Sequence, residues 1–204
     1  MDNTGGVSVG YNWCMTGRTH DLAAFTAMTM ILAYQPIIDI SLGTAIVAFG
    51  ANMLGGLAPD MDNATSDIWR KVRGGSILAR IIQPLTGGHR LISHSLVGVW
   101  LVGKILMWLL VRMSTVLLVD IHIVWWAFML GYISHLVTDT ITKEGVPWLF
   151  PIPIRFGFPP FKALRITTGE LMEKAFIFPG LLLLNGYIIY QNYGKFLEII
   201  HHIK

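Results

Sequence analysis

Long apolar stretches alternate with short polar clusters along this chain, and the spacing of the two sets is the first thing to interpret. A spanning helix needs about 20 mostly apolar residues, with about 17 as the lower limit. Five segments meet or approach that length, at about residues 22–38, 40–57, 96–111, 116–137 and 175–193. The first is short, with Pro36 near its end, and the second is rich in Gly and Ala, which lets helices approach closely. Polar residues precede the third and can continue its helix, and the fourth contains Trp125 and Trp126. The fifth carries Pro179 and ends among Tyr187, Tyr190 and Tyr193, residues suited to a headgroup interface. The pattern predicts an all-α integral membrane protein, a bundle of about five transmembrane helices forming one membrane-embedded domain over residues 1–204. The short first pair also fits a re-entrant hairpin.

Composition strengthens this reading. Of 204 residues, 53% are apolar and 13% charged, with a mean hydropathy of +0.58. A soluble domain carries roughly 25% charged residues. Cys14 is the only cysteine, so an intrachain disulfide and zinc sites built on two or four cysteines are excluded. Any metal must be held by nitrogen and oxygen. No basic n-region with a cleavage site precedes the first apolar run, so the first spanning helix is expected to direct insertion.

Charge then orients the chain. The long connection at about 60–93 carries Arg70, Lys71, Arg73, Arg80 and Arg90, and the one at about 138–174 carries Lys143, Arg155, Lys162, Arg165 and Lys174. The opposite connections hold only Asp39 and its neighbours, and the turn expected around Arg112 to Thr115. The positive-inside rule places both long connections and the N-terminus in the cytoplasm and the C-terminus outside. The net charge of +3 is accounted for by orientation, and no nucleic-acid partner is expected.

Five polar clusters then fall on that one cytoplasmic face: 18–21, 58–63, 88–95, 134–139 and 168–173. The side was assigned from Lys/Arg counts, so the coincidence is a separate observation. His135 and Asp139 are one helical turn apart on the same face. Asp60 and Asp62 offer two carboxylates at a helix terminus, and His89 and His94 flank the entrance to the third helix. Imidazole with carboxylate suits Zn²⁺, Mn²⁺, Fe²⁺ or Ni²⁺ better than an all-oxygen Mg²⁺ site. Zinc or manganese, as one or more ions, is the expectation. A bound ion also explains ionisable residues beside apolar segments, where unpaired charge is costly. By contrast, Asp120 and His122 lie near the opposite end of the fourth helix, and His201 and His202 read as a solvated tail.

The motifs resemble those of the YdjM-like family of inner-membrane proteins, described as metal-dependent hydrolases. His20 opens the series, and Leu57-Ala58-Pro59-Asp60-Met61-Asp62-Asn63 resembles L-P-D-x-D-H, with Asn63 where the family has His. Gly88-His89-Arg90-Leu91-Ile92-Ser93-His94-Ser95 resembles G-H-R-G-x-T-H-S. The run from Gly131 through His135 and Asp139 to Thr142, Gly145, Val146 and Pro147 resembles G-Y-x-S-H-x-x-x-D-x-x-T-x-x-G-V-P. A looser likeness to zinc-dependent phospholipases C suggests phosphoester substrates by analogy.

The resemblance implies a membrane-bound metal-dependent hydrolase of the cell inner membrane, acting on a phosphoester of a lipid or another membrane-associated substrate. His20, Asp60, Asp62, His89, His94, His135 and Asp139 are the implied metal ligands. Glu173, with Glu170 behind it, is the candidate general base or further ligand, and Arg90 the candidate phosphate-binding residue. A metal-free lipid phosphatase with an S-R-x₅-H-x₃-D motif fits poorly, because Met129 stands where that motif has arginine. The rival from another class is a non-catalytic protein, a divalent-ion transporter or a scaffold with a structural metal. A transporter carries ligands near the bilayer midplane, whereas these clusters sit at helix ends.

Overall fold

The computed structural model describes residues 17–62, 92–152, 154–167 and 171–204. Helix α1 spans Gly17–Tyr34 and ends just before Pro36. Ser41 starts α2, Leu42–Leu57, by accepting a hydrogen bond from the Thr44 amide at 3.1 Å, and a 3₁₀ turn, Ala58–Asp62, prolongs it. Ser95 caps α3, Leu96–Leu117, in the same way through the Gly98 amide. That cap starts the helix at Leu96, so the preceding polar residues do not extend it. Asp120 caps α4, Ile121–Thr140, through the amides of His122 and Ile123. A π-helical turn, Glu173–Ile177, leads into α5, Phe178–Gln191, and a short α6, Tyr193–His201, follows.

The turn between the third and fourth helices differs from the sequence expectation. Arg112 to Thr115 are helical, and the chain reverses at Leu118, whose φ of 49° is left-handed, and Asp120. The polar residues at 112–115 had marked the turn, but the local cap decides it.

Among the described residues there is no extended strand, and three helices are long and apolar enough to cross a membrane: Leu42–Met61, Leu96–Leu117 and Ile121–Thr140. Helix α1 has 18 residues but carries Arg18, His20 and Asp21 in its opening turns, and α5 has 14.

Helices α2 and α4 form the central pair. Their backbones approach so closely that a Cβ on Gly55 would collide with the Phe128 carbonyl, and one on Gly131 with that of Asn52. Asn52 Nδ2 donates to the Ala127 carbonyl across the same seam at 3.0 Å. Helix α1 packs on both, with Gly56 against Ala24, and α5 packs on α1, where Asn185 Nδ2 donates to Thr26 Oγ1 at 2.6 Å. Helix α3 leans on α4, with Trp125 Nε1 donating to the Gly103 carbonyl.

Burial is inverted relative to a soluble protein. His20, Asn52, His94, His135, Asp139 and Glu173 are wholly buried, while Trp100, Trp108, Val116 and Trp126 are exposed. In water this would be unstable, but against lipid the apolar exterior costs nothing and polar groups must be satisfied inside. The helices alternate in direction, so the start of α1, the end of α2, the start of α3, the end of α4 and the turn before α5 share one end of the bundle.

Candidate metal centre

The site is built at that end from segments far apart in sequence. Asp60 stands on the 3₁₀ turn after α2, His94 just before α3, His20 in α1, and His135 and Asp139 on one face of α4. Local structure fixes each carrier. The Tyr132 hydroxyl donates to the Ser93 carbonyl at 2.5 Å and holds the segment bearing His94. The Thr142 hydroxyl donates to the Asp139 carbonyl at 2.8 Å and closes the last turn of α4. Trp148 ties the following loop over this end, its Nε1 donating to Thr140 Oγ1 and its carbonyl accepting from the Leu96 amide.

The imidazole–carboxylate separations cluster tightly. His94 Nε2 lies 3.8 Å from Asp60 Oδ1 and 3.5 Å from Asp139 Oδ2. His135 Nε2 lies 3.6 Å from Asp60 Oδ1 and 3.7 Å from Asp139 Oδ2, and His20 Nε2 lies 3.6 Å from Asp139 Oδ1. These spans are long for hydrogen bonds. Two donors bound tetrahedrally at ~2.0–2.2 Å to one zinc lie about 3.3–3.6 Å apart, close to the spans observed. Two overlapping triads emerge, His20–Asp60–His135 and His94–His135–Asp139, with His135 common to both. The rings of His20 and His135 stack at 3.7 Å.

Hydrogen bonding aims the imidazoles inward. His135 Nδ1 donates to the Gly56 carbonyl at 2.7 Å, which leaves Nε2 as the basic nitrogen. The Thr138 hydroxyl spends its proton on the backbone carbonyls of α4, at 2.8 Å to that of His135, so it accepts from His20 Nδ1 at 3.1 Å. Again Nε2 is left basic. His94 Nδ1 meets the Ser93 hydroxyl at 2.9 Å. Outer partners of this kind orient metal-binding histidines. The Nε2 atoms of His20 and His135 are buried and make no hydrogen bond among the described residues, a cost that a cation removes. Two carboxylates and three imidazoles thus bring oxygen and nitrogen donors to one place. The donor set therefore fits a divalent metal, with nitrogen and oxygen donors in the mixture that zinc and manganese accept.

Of the ligands expected from sequence, His20, Asp60, His94, His135 and Asp139 come together here. His89 and Arg90 lie outside the described residues, as does Glu170, and for Asp62 only the backbone is described. Glu173 is wholly buried and belongs to neither triad; its Oε1 accepts at 2.6 Å from the hydroxyl of Thr19, one residue before His20. Sequence reasoning missed the orienting groups, Thr138, Gly56, Ser93 and Thr19. Thr138 was visible as a neighbour of Asp139, but nothing in the pattern assigned its hydroxyl to His20. Asp120 and His122 sit at the far end of α4, with His122 exposed.

The family model described as YdjM inner membrane protein matches residues 15–196. The chain is also 30% identical over 180 residues to the uncharacterized protein YvsG of Bacillus subtilis (strain 168), covering 87% of this chain and 96% of that protein. No solved structure matches.

Proposed function

The chain belongs to the YdjM inner membrane protein family, and we propose that it is a membrane-bound, metal-dependent hydrolase acting on a phosphoester of a lipid or another membrane-associated substrate. The observation that carries this reading is the convergence of His20, Asp60, His94, His135 and Asp139, with basic Nε2 atoms of His20 and His135 turned inward and buried. These residues, joined by Asp62 and His89, would hold the ion or ions. When bound, such an ion would supply Lewis acidity and would lower the pKa of water toward neutrality.

The protein's own groups do the rest. Thr138 and Gly56 keep His20 and His135 in the tautomer that presents Nε2. Glu173 is assigned to take the proton from the attacking water, with Thr19 holding its Oε1. Arg90 is assigned to the phosphate oxygens through a bidentate contact. The proposal includes a single domain crossing the membrane five times, with this end in the cytoplasm and the C-terminus outside. The clustering of Lys and Arg in the connections at that end supports it.

A second reading, a structural ion that staples α1, α2, α3 and α4 together without catalysis, is favoured by the complete burial of His20, His94, His135 and Asp139. Metal analysis of the purified protein, paired with hydrolysis of a panel of lipid phosphoesters, separates the two. Metal with turnover supports the hydrolase, metal without turnover supports the staple, and absence of metal affinity removes both.

A further inference from the structure

The loop after α4 exposes apolar side chains beyond the end of any spanning helix. Phe158, Phe161 and Leu164 are 68%, 71% and 68% exposed, and Ile152 and Ile154 are exposed before them. Along a spanning helix such exposure faces lipid, but these residues belong to an irregular segment with a single 3₁₀ turn, Lys162–Leu164. The segment is nonetheless closely tied. Val146 and Phe156 exchange amide–carbonyl hydrogen bonds at 2.8 and 2.9 Å. The Arg165 guanidinium folds back to donate to the carbonyls of Pro159 and Pro160, at 2.7 and 3.1 Å, and closes residues 159–165 into a turn.

Hydrogen bonds to the end of α4 set the depth of this turn. The Phe158 amide donates to the Thr140 carbonyl at 2.8 Å, and the Ile166 amide to the Ile141 carbonyl at 3.1 Å. Thr140 is the last residue of α4, whose 20 residues measure about 30 Å, the thickness of a hydrocarbon core. Both ends of the turn are therefore pinned where α4 leaves the hydrocarbon. Apolar groups at that level are covered by the boundary between headgroups and acyl chains. Charge selects the headgroup. Residues 141–167 hold four basic residues and one acidic. Glu144 pairs with Arg155 at 3.5 Å, and Arg165 is spent inside the loop. The ammonium groups of Lys143 and Lys162 are exposed and make no ion pair or hydrogen bond among the described residues. Lys162 stands between Phe161 and Leu164, so a cation leaves the turn among its apolar side chains. A lipid phosphate meets that ammonium, and a head with net negative charge compensates it more fully than a zwitterionic one.

We propose that the turn at 158–164 is an interfacial anchor that seats in the headgroup layer and gathers anionic phospholipid beside this end of the bundle. Phe158, Phe161 and Leu164 lie at the acyl boundary, and Lys162, aided by Lys143, holds the phosphates. The inference is independent of the metal centre and of any hydrolysis there.

The full chain in nanodiscs of mixed phosphatidylcholine and phosphatidylglycerol tests it, with an NBD fluorophore on Phe161→Cys in a Cys14→Ser background. Nitroxide-labelled acyl chains are placed on one lipid at a time. Both labelled lipids are expected to quench the fluorophore. Phosphatidylglycerol should be over-represented about fivefold relative to its share of the bilayer, the weight of one lysine at an anionic surface. Lys162→Gln should remove most of that excess while quenching by phosphatidylcholine persists. Leu164→Cys repeats the reading from a second exposed position, and circular dichroism and gel filtration verify that each variant is folded. Quenching by neither lipid, which would mean that water or protein covers the turn, overturns the proposal. So does quenching by the two lipids in proportion to their bulk shares, or an excess of phosphatidylglycerol that folded Lys162→Gln leaves unchanged.

Discussion

The two ends of the bundle carry the same kinds of residue and use them in opposite ways. At one end His20, His94, His135 and Asp139 are wholly buried, and the Nδ1 partners of His20 and His135 come from other helices. At the other end Asp39, Asp120, His122, His202 and Lys204 are exposed or half-exposed, and most are satisfied close by. Asp120 caps its own helix, His202 Nδ1 donates to the Glu198 carbonyl four residues back, and Lys204 Nζ holds Asp39 at 2.7 Å in the open. A cluster of His and Asp becomes a candidate centre when desolvation and convergence force its charges to find a shared counter-ion. Water does that work at the far end, where no cation is required.

The sharpest way to break this comparison is to remove a ligand at each end. His135→Ala deletes the imidazole common to both triads, and is expected to lower the metal content of purified protein, with an affinity loss on the order of 10–100-fold. His122→Ala, on the same helix but exposed at the far end, should leave metal content unchanged. Equal losses in both variants would mean that the two ends do not differ in the way described. Next in size is Thr138→Val, which keeps the side-chain volume but cannot accept from His20 Nδ1. Freed of that bond, His20 is expected to bind metal about 10-fold more weakly, measured by competition with a chelator. Retained affinity would show that the ring is oriented by packing alone.

The broad architecture was legible because lipid imposes a simple rule: apolar runs of sufficient length become helices, and their spacing is read directly. The candidate site was legible through ordered motifs, and five of its expected ligands meet in space. The third turn was not. Arg112, Ser114 and Thr115 looked like a break, yet they lie within α3, because exposed polar side chains at a helix end cost little and a left-handed Leu118 followed by Asp120 ends the run. Thr138, Gly56 and Ser93 were not legible either. Their roles depend on which carbonyl or ring nitrogen lies opposite in the fold, and periodicity carries no record of that.

Asp120 tests the far end at intermediate size. It accepts from two amides, at 2.9 Å from His122 and 3.2 Å from Ile123, and its own amide donates to Thr44 Oγ1. Asp120→Ala should cost about 1 kcal/mol in thermal or denaturant unfolding, the usual worth of a cap, with metal content intact. A loss of metal here would couple the two ends through α4 and defeat the idea that they act separately.

The smallest effect is expected from the exposed ion pair beyond that cap. The Lys204 ammonium hydrogen-bonded to Asp39, together with its charge, holds the Asp39 carboxyl below its ordinary range, with a weaker contribution from His202. A carboxyl whose pKa is depressed in the folded state contributes its stabilisation above the ordinary carboxylate range and loses it as pH falls through the lowered value. The window therefore lies below about pH 4 and leaves the neutral range untouched. Both side chains are solvated, so the pair is screened and its worth is small. The C-terminal backbone is held independently of it, with the Leu42 amide donating to the Lys204 carbonyl at 2.7 Å and the Lys204 amide to that of Ile40 at 3.0 Å. Asp39→Asn should therefore leave the melting temperature at pH 7 within measurement error, and remove only a slight pH dependence near the acid limit. A large loss of stability at neutral pH would show that this end, too, relies on its charges, and the contrast with the buried histidines would then rest on geometry alone.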